Sequence, residues 1–268
     1  MLGDFTDDLV PQRFAVRELL GTGLIGRTYR AWDQLDQRPV ALKVLDSSFR
    51  YMPGLSGFAG AFPMASLLRN ESRLLQQLQH PGICSYHDSG ELDGTPWLAM
   101  EYIGGGYLRD RQTPIASTEI VQILHKLAAP LAYLHAAGYV HRDVTPSNVG
   151  FRSDGTLALL DLGLAQRTFH NSEVAIQRVM GSPGYSPPEC HQPAAFDIAL
   201  TPRADIFSLG RLMEWMIVGP DMRVYPDSPM AESDSPICAV IQRATRVDPR
   251  LRYPDVQTLL SACKLALS

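Results

Sequence analysis

The sequence predicts an α+β fold in two lobes: a small antiparallel β-sheet lobe with one key helix, then a larger, mainly α-helical lobe. Three observations predict it. Short strand-favouring runs separated by turn residues fill most of the first hundred positions, Gly104-Gly105-Gly106 forms a flexible joint, and beyond it the apolar spacing becomes helical. A chain of 268 residues is long enough for two such lobes with a proper core, and the joint implies a cleft.

In order, Phe14 to Leu20, Arg27 to Trp32 and Pro39 to Leu45 read as strands. The glycines at 21–26 and the Asp36-Gln37 pair make these three consecutive and antiparallel. Residues 50–63, rich in Gly and Pro and without period, read as a loop. From Met64 to Gln79 apolar side chains fall at 64, 67, 68, 74, 75 and 78, a helical stripe that His80-Pro81-Gly82 stops. Trp97 to Tyr102 is a further strand. Past the joint, Ser117 caps a helix running to about Ala137, which Pro130 should kink. Residues 204–218 are apolar almost all round, the mark of a helix buried inside a large lobe.

Charge and cysteine usage narrow the function. With 24 basic against 28 acidic side chains, the chain lacks the clustered positive charge that holds nucleic acid. Cys84, Cys190, Cys238 and Cys263 are spread singly, without zinc spacing, as small buried hydrophobes of a reducing compartment. The acidic N-terminus lacks a signal-peptide pattern, and no stretch approaches 18 uninterrupted apolar residues. The expectation is a soluble, cytoplasmic chain with no membrane segment.

Chemistry enters with Gly21-Thr22-Gly23-Leu24-Ile25-Gly26. Three glycines in a turn are a weak signal alone. In a dinucleotide-binding fold the third glycine opens a helix, whereas here strand-turn-strand follows. The glycines then cap a hairpin whose backbone N–H groups can approach phosphates. In Val40-Ala41-Leu42-Lys43, alternation puts Ala41 and Lys43 on one face and Val40, Leu42 and Val44 on the other. An exposed lysine is the ordinary reading of such a position. Yet only Lys43, Lys126 and Lys264 are lysines in this chain, and Glu71 falls inside the apolar stripe at 64–79. A carboxylate on a buried face is costly unless paired, so Glu71 and Lys43 are natural partners.

Further on stand His141-Arg142-Asp143-Val144-Thr145-Pro146-Ser147-Asn148, then Asp161-Leu162-Gly163, then Gly181-Ser182-Pro183-Gly184-Tyr185-Ser186-Pro187-Pro188-Glu189. With these motifs in order the chain resembles a eukaryotic-like Ser/Thr protein kinase catalytic domain, of bacterial cast, over residues 12–264. The resemblance implies a small lobe of about 12–102, a hinge of about 101–106 and a large lobe of about 107–264. It implies ATP and Mg²⁺ as cofactors, with Mn²⁺ as an alternative ion, and Ser/Thr-bearing proteins as substrates. Gly21, Thr22, Gly23, Leu24 and Gly26 would cover the nucleotide's phosphates; Leu20, Thr28 and Ala41 would line the adenine slot; the backbone of Glu101 and Ile103, past Met100, would bind the adenine edge. Lys43 braced by Glu71 would hold phosphates, Asn148 and Asp161 the metal, and Asp143 would take the hydroxyl proton. Asp205 resembles the carboxylate that ties down the catalytic loop, and Glu189 with Arg252 a buried ion pair. Arg142 would meet a phosphate on segment 164–181, with Thr168 and Ser172 as acceptors in a transient dimer.

Several residues depart from the family pattern. Thr145 stands where a lysine usually meets the γ-phosphate; one such charge-assisted contact is worth about 1.5–3 kcal/mol. Arg27 offers a substitute charge. Gly150 replaces the leucine below the adenine, Thr28 a valine, Leu162 a phenylalanine, and the 50–63 loop lengthens the path from Lys43 to Glu71. Three readings therefore stay open: an active Ser/Thr kinase, a pseudokinase scaffold that binds ATP, and a small-molecule phosphotransferase. The Pro187-Pro188-Glu189 run and Arg252 argue against the last.

Overall fold

A computed structural model describes residues 10–23, 25–45, 64–168, 181–191, 200–220 and 235–267. The expected 50–63 loop, Leu24 and Ser172 lie outside the described residues. The chain divides into two compact units, Met1–Gln79 with Cys84–Gly104, and His80–Ile83 with Gly105–Ser268.

The first unit is built on a five-stranded antiparallel sheet ordered β1-β2-β3-β5-β4: β1 Phe14–Thr22, β2 Arg27–Asp33, β3 Arg38–Val44, β4 Tyr86–Leu92 and β5 Thr95–Glu101. One face closes a core of Val10, Phe14, Tyr29, Ala31, Val40, Leu42, Val44 and Ala99. The period-2 alternation read from β3 thus separates Val40, Leu42 and Val44 from Ala41 and Lys43. The β2–β3 turn closes on Asp33, which is fully buried and accepts from the amides of Leu35 (3.0 Å) and Asp36 (3.3 Å). Arg13 reaches Asp33 through Nε (2.7 Å) and Nη2 (2.6 Å), and its hydrogen bonds hold that carboxyl below the usual range against the effect of burial. The same guanidinium reaches Asp88 on β4, so β1, β2 and β4 are stapled through one cation.

Strand β4 has no counterpart in the sequence reading. Its residues are mostly polar and half-buried, as befits a sheet edge, so no apolar alternation marks it. Its turn into β5 does carry a signal: Asp93 and Gly94 take φ of 49° and 74°, the conformation that an Asp-Gly pair supplies in a two-residue hairpin. Helix α1, Met64–Gln77, buries Met64, Leu67, Leu68, Glu71, Leu74 and Leu75.

The second unit holds α2 (Ser117–Ala136), α3 (Pro188–His191), α4 (Arg203–Val218), α5 (Pro236–Ala244) and α6 (Val256–Leu267), with the short pairs β6 (Tyr139–Val140) with β9 (Gln166–Arg167) and β7 (Val149–Phe151) with β8 (Leu157–Leu159). Ser117 does not cap α2: Ala116 is the capping residue, its carbonyl accepting from Ile120 (3.0 Å), and Ser117 is already the first helical residue. The helix runs through Pro130. Residues 80–83, expected in the small lobe, belong to this unit. The Gly82 carbonyl accepts from Leu159 N (2.8 Å), and Arg152 reaches the carbonyls of Pro81 (2.9 Å) and Ile83 (3.4 Å). Helix α4 is buried from Ala204 through Met216, as its composition predicts. It packs closely on α5 at Gly210, where a Cβ would stand 2.8 Å from Thr245 and 2.9 Å from Ala244. All four cysteines are buried and none is in a disulfide; burial pushes the Cys190 thiol up and that of Cys263 to about 12. Among the described residues no helix is long and apolar enough to cross a membrane.

Candidate active site

In the first unit the Lys43 side chain meets Glu71 at 2.7 Å, with exposures of 7% and 0%. The pairing follows from two periodicities: β3 turns Lys43 away from the Val40-Leu42-Val44 core, and the 3.6-residue repeat of α1 sets Glu71 among its buried positions. Register places Thr28 opposite Lys43, and Ala41 opposite Met100. These side chains share one sheet face. Leu20 falls in the register shift between Leu19 and Gly21, a bulge that re-aims its side chain.

The glycines separate into two kinds. Gly26 has φ +149°, and a Cβ there would lie 2.1 Å from the Val44 carbonyl, so the fold itself demands glycine. Gly21 and Gly23 meet nothing within 4 Å; their missing side chains leave room outside the protein. Reciprocal bonds between Gly23 and Gly26 (2.8 and 3.3 Å) close the turn. Thr22 is exposed beside them. At the end of β5, Glu101 N is used by Ser85 O (2.9 Å), whereas the N–H of buried Ile103 donates to no described acceptor. Arg27 pairs with Val44, on the sheet face opposite that of Lys43.

In the second unit the loop 141–148 gathers Asp143 and Asn148. The Asn148 amide nitrogen donates to the Asp143 carbonyl (2.9 Å) and carboxylate (2.7 Å), leaving its own oxygen as the atom that can meet a cation. Ser182 N donates to the other Asp143 oxygen (3.2 Å). Burial pushes the Asp143 carboxyl above its ordinary range; Ser182 opposes that shift and the Asp161 charge adds to it. Asp161 sits just past β8 at φ 58°, accepting from Gly163 N (3.1 Å). Among the described residues no three His, Cys, Asp or Glu cluster as a metal cage. Mg²⁺ does not require one, since it keeps waters and shares one or two carboxylates with phosphate.

Asp205, at the start of α4, holds the loop. Its carboxylate accepts from His141 N (2.9 Å), Arg142 N (2.8 Å) and His135 Nε2 (2.7 Å). Burial opposes its ionisation, but these bonds and the neighbouring histidines prevail and lower its pKa. His141 accepts from Asp143 N at Nδ1 (3.2 Å) and donates from Nε2 to Leu160 O (3.0 Å). Glu189 and Arg252 form a bidentate buried pair at 2.6 and 2.8 Å. Arg142 is buried and reaches Leu164 O and the Gln166 side chain, while the Thr168 hydroxyl faces Gly138 O at 3.4 Å. Thr145 is buried as the residue before the short helix at Pro146–Asn148, and Gly150 pairs with Ala158 and bridges Tyr107.

A β-sheet unit with a Lys–Glu pair and an open glycine turn, followed by a helical unit with an Asp/Asn loop held by a buried aspartate, defines a class. The model of the protein kinase domain matches residues 14–264, and the chain belongs to the protein kinase family. Among its relatives is serine/threonine-protein kinase PknL of Mycobacterium tuberculosis H37Rv, 31% identical over 214 residues, or 79% of this chain and 50% of the relative. PknB of Mycolicibacterium smegmatis is 29% identical over 271 residues, covering 97% of this chain and 40% of that protein. PknE of Mycobacterium tuberculosis H37Rv is 31% identical over 199 residues, 73% and 33% respectively. The chain thus spans half or less of the length of these relatives. Protein kinases generally use ATP with Mg²⁺ or Mn²⁺.

The sequence reading missed Arg211 and Glu214. They are fully buried in α4 and pair with each other, and Arg211 Nε donates to Gly184 O (2.7 Å). Opposite charges three residues apart inside an otherwise apolar helix were the available signal.

Proposed function

We propose that this chain is an ATP-dependent protein kinase that phosphorylates Ser/Thr hydroxyls of protein substrates, with a domain spanning about residues 12–264. The observation that carries the reading is Asp143, a half-buried carboxylate oriented by Asn148 and Ser182 beside a loop fixed by Asp205. When bound, Mg-ATP supplies the transferable phosphoryl group. Its fit is supported by the room above Gly21 and Gly23, the unused Ile103 N–H and the hard oxygen donors of Asn148 and Asp161.

Each residue then has one task. Leu20, Thr28 and Ala41 shape the base slot, with Glu101 and Ile103 offering backbone groups at its edge. The Gly21–Gly26 turn would meet phosphates with backbone N–H groups, Thr22 and Leu24 belonging to the same motif, and Lys43, oriented by Glu71, would offer them one ammonium. Asn148 and Asp161 would hold the cation. Asp143 accepts the acceptor hydroxyl's proton at a carboxylate oxygen, each of which keeps a second lone pair beyond its bond to Asn148 or Ser182. Transfer depends on this positioning and charge, because the transition state spreads charge over the phosphate oxygens. We also infer autophosphorylation within 164–182 through a transient dimer. Buried cysteines outside any disulfide fit a reducing cytoplasm.

The test is incubation with radiolabelled Mg-ATP and casein. The wild type labels casein; Lys43→Ala and Asp161→Ala stay folded and do not. Retained labelling in either variant refutes the site assignment, and an unlabelled wild type favours an ATP-binding scaffold instead.

A further inference from the structure

Burying a guanidinium and a carboxylate inside a helix is expensive, and apolar residues of similar volume usually serve the fold as well or better. Arg211 and Glu214 are both fully buried in α4, whose other turns bury Ile206, Phe207, Leu209, Leu212, Met213 and Met216. The geometry shows what the pair does beyond filling space. Arg211 Nε donates to the carbonyl of Gly184 at 2.7 Å, and Gly184 adopts φ 82°, a conformation that glycine takes readily. One residue on, the Ser208 hydroxyl reaches the Tyr185 carbonyl at 3.0 Å. Two successive carbonyls of one turn are therefore gripped from α4. That turn is closed by Tyr185 N and Ser186 N on Ser182 O, both at 3.1 Å, and Ser182 N holds Asp143. Tyr185 lies close enough to feel both charges, although burial is what chiefly raises its phenol to about 12.

We propose that Arg211, held by Glu214, is a positioning residue that locks the Gly184-Tyr185 turn and so sets how well the kinase holds its protein acceptor. The inference rests on the protein-kinase reading, in which the segment from Gly181 faces the acceptor. Arg211 touches neither acceptor nor nucleotide; it acts through the backbone it grips. The nucleotide-handling groups Lys43, Gly21 and Gly23 belong to the other unit.

The test is steady-state kinetics with casein and ATP varied separately, alongside thermal melting, on the whole chain. Arg211→Met/Glu214→Leu removes both charges while conserving volume, so its Tm stays within about 3 °C of wild type. Its KM for casein rises about tenfold, the loss expected for one charge-assisted hydrogen bond, while KM for ATP stays within about twofold. Arg211→Lys keeps the charge beside Glu214 but loses the planar fork, so it moves casein KM the same way by about threefold. Unchanged casein kinetics in a folded double variant overturn the proposal, as does a parallel loss for casein and ATP that tracks Tm, the signature of a merely structural pair. If the double variant does not fold, an unchanged casein KM in Arg211→Lys overturns it. A wild type that never labels casein removes the kinase reading, and the inference with it.

Discussion

Replacing Glu71 by glutamine keeps the shape of the side chain and one hydrogen bond, and removes the charge opposite Lys43. At the observed 2.7 Å, the attraction between the two charges is about 6 kcal/mol at an effective dielectric of roughly 20. The glutamine's neutral hydrogen bond returns part of that, and breaking buried pairs of this kind costs about 3–5 kcal/mol. If about 3 kcal/mol of it is lost in the transition state, kcat/KM falls about a hundredfold. The assay is the initial rate of casein labelling, with melting followed in parallel. Glu71→Gln lowers both the rate and the Tm. The double change Lys43→Met/Glu71→Leu removes the stranded ammonium, so its Tm recovers, but its rate does not. A Glu71→Gln rate within about threefold of wild type, or a double variant that recovers its rate, refutes the assignment of Lys43 to phosphate.

Because burial raises the Asp143 carboxyl, the acid limb of kcat/KM lies above the ordinary aspartate value of 3.8; a pH–rate profile places it, and a limb at or below 3.8 contradicts the reading. Asp205 is the opposite case: its pKa is lower folded than unfolded, so its stabilisation is present above about pH 4 and lost as pH falls through the folded value. Asp205→Asn therefore lowers neutral-pH stability by about 3 kcal/mol in denaturant melts and flattens the acid side of the stability profile. Gly26→Ala should cost about 2–4 kcal/mol, since its Cβ would collide with the Val44 carbonyl at positive φ. Gly23→Ala leaves the melting curve near wild type and raises KM for ATP, which separates the two kinds of glycine.

What could be read from the sequence follows from how local each signal was. The Lys43–Glu71 pair was legible because a carboxylate inside an apolar stripe demands a partner and lysine is so scarce here. Asp143, Asn148 and Asp161 were legible as ordered motifs, and the α4 helix from its all-round apolarity. What escaped was set by distant partners. The Arg13 staple joins residues up to 75 positions apart, and residues 80–83 join the second unit through Leu159 and Arg152. The sheet face of Arg27, opposite that of Lys43, was fixed only once β2 and β3 had a register. Strand β4 hid because a polar sheet edge has no hydrophobic alternation, though its Asp93-Gly94 turn was in view. The α2 cap was misplaced by a single residue, from Ala116 to Ser117, where side-chain preference and backbone geometry disagree.

The most direct trial of the site is residue-resolved mass spectrometry of the chain and of casein after exposure to Mg-ATP, with Asp143→Asn run beside the wild type. Phosphoserine and phosphothreonine should appear on casein and within residues 164–182 of the wild type, and vanish with the asparagine. Phosphate on neither protein, or equal phosphate with Asp143 replaced, would contradict the account.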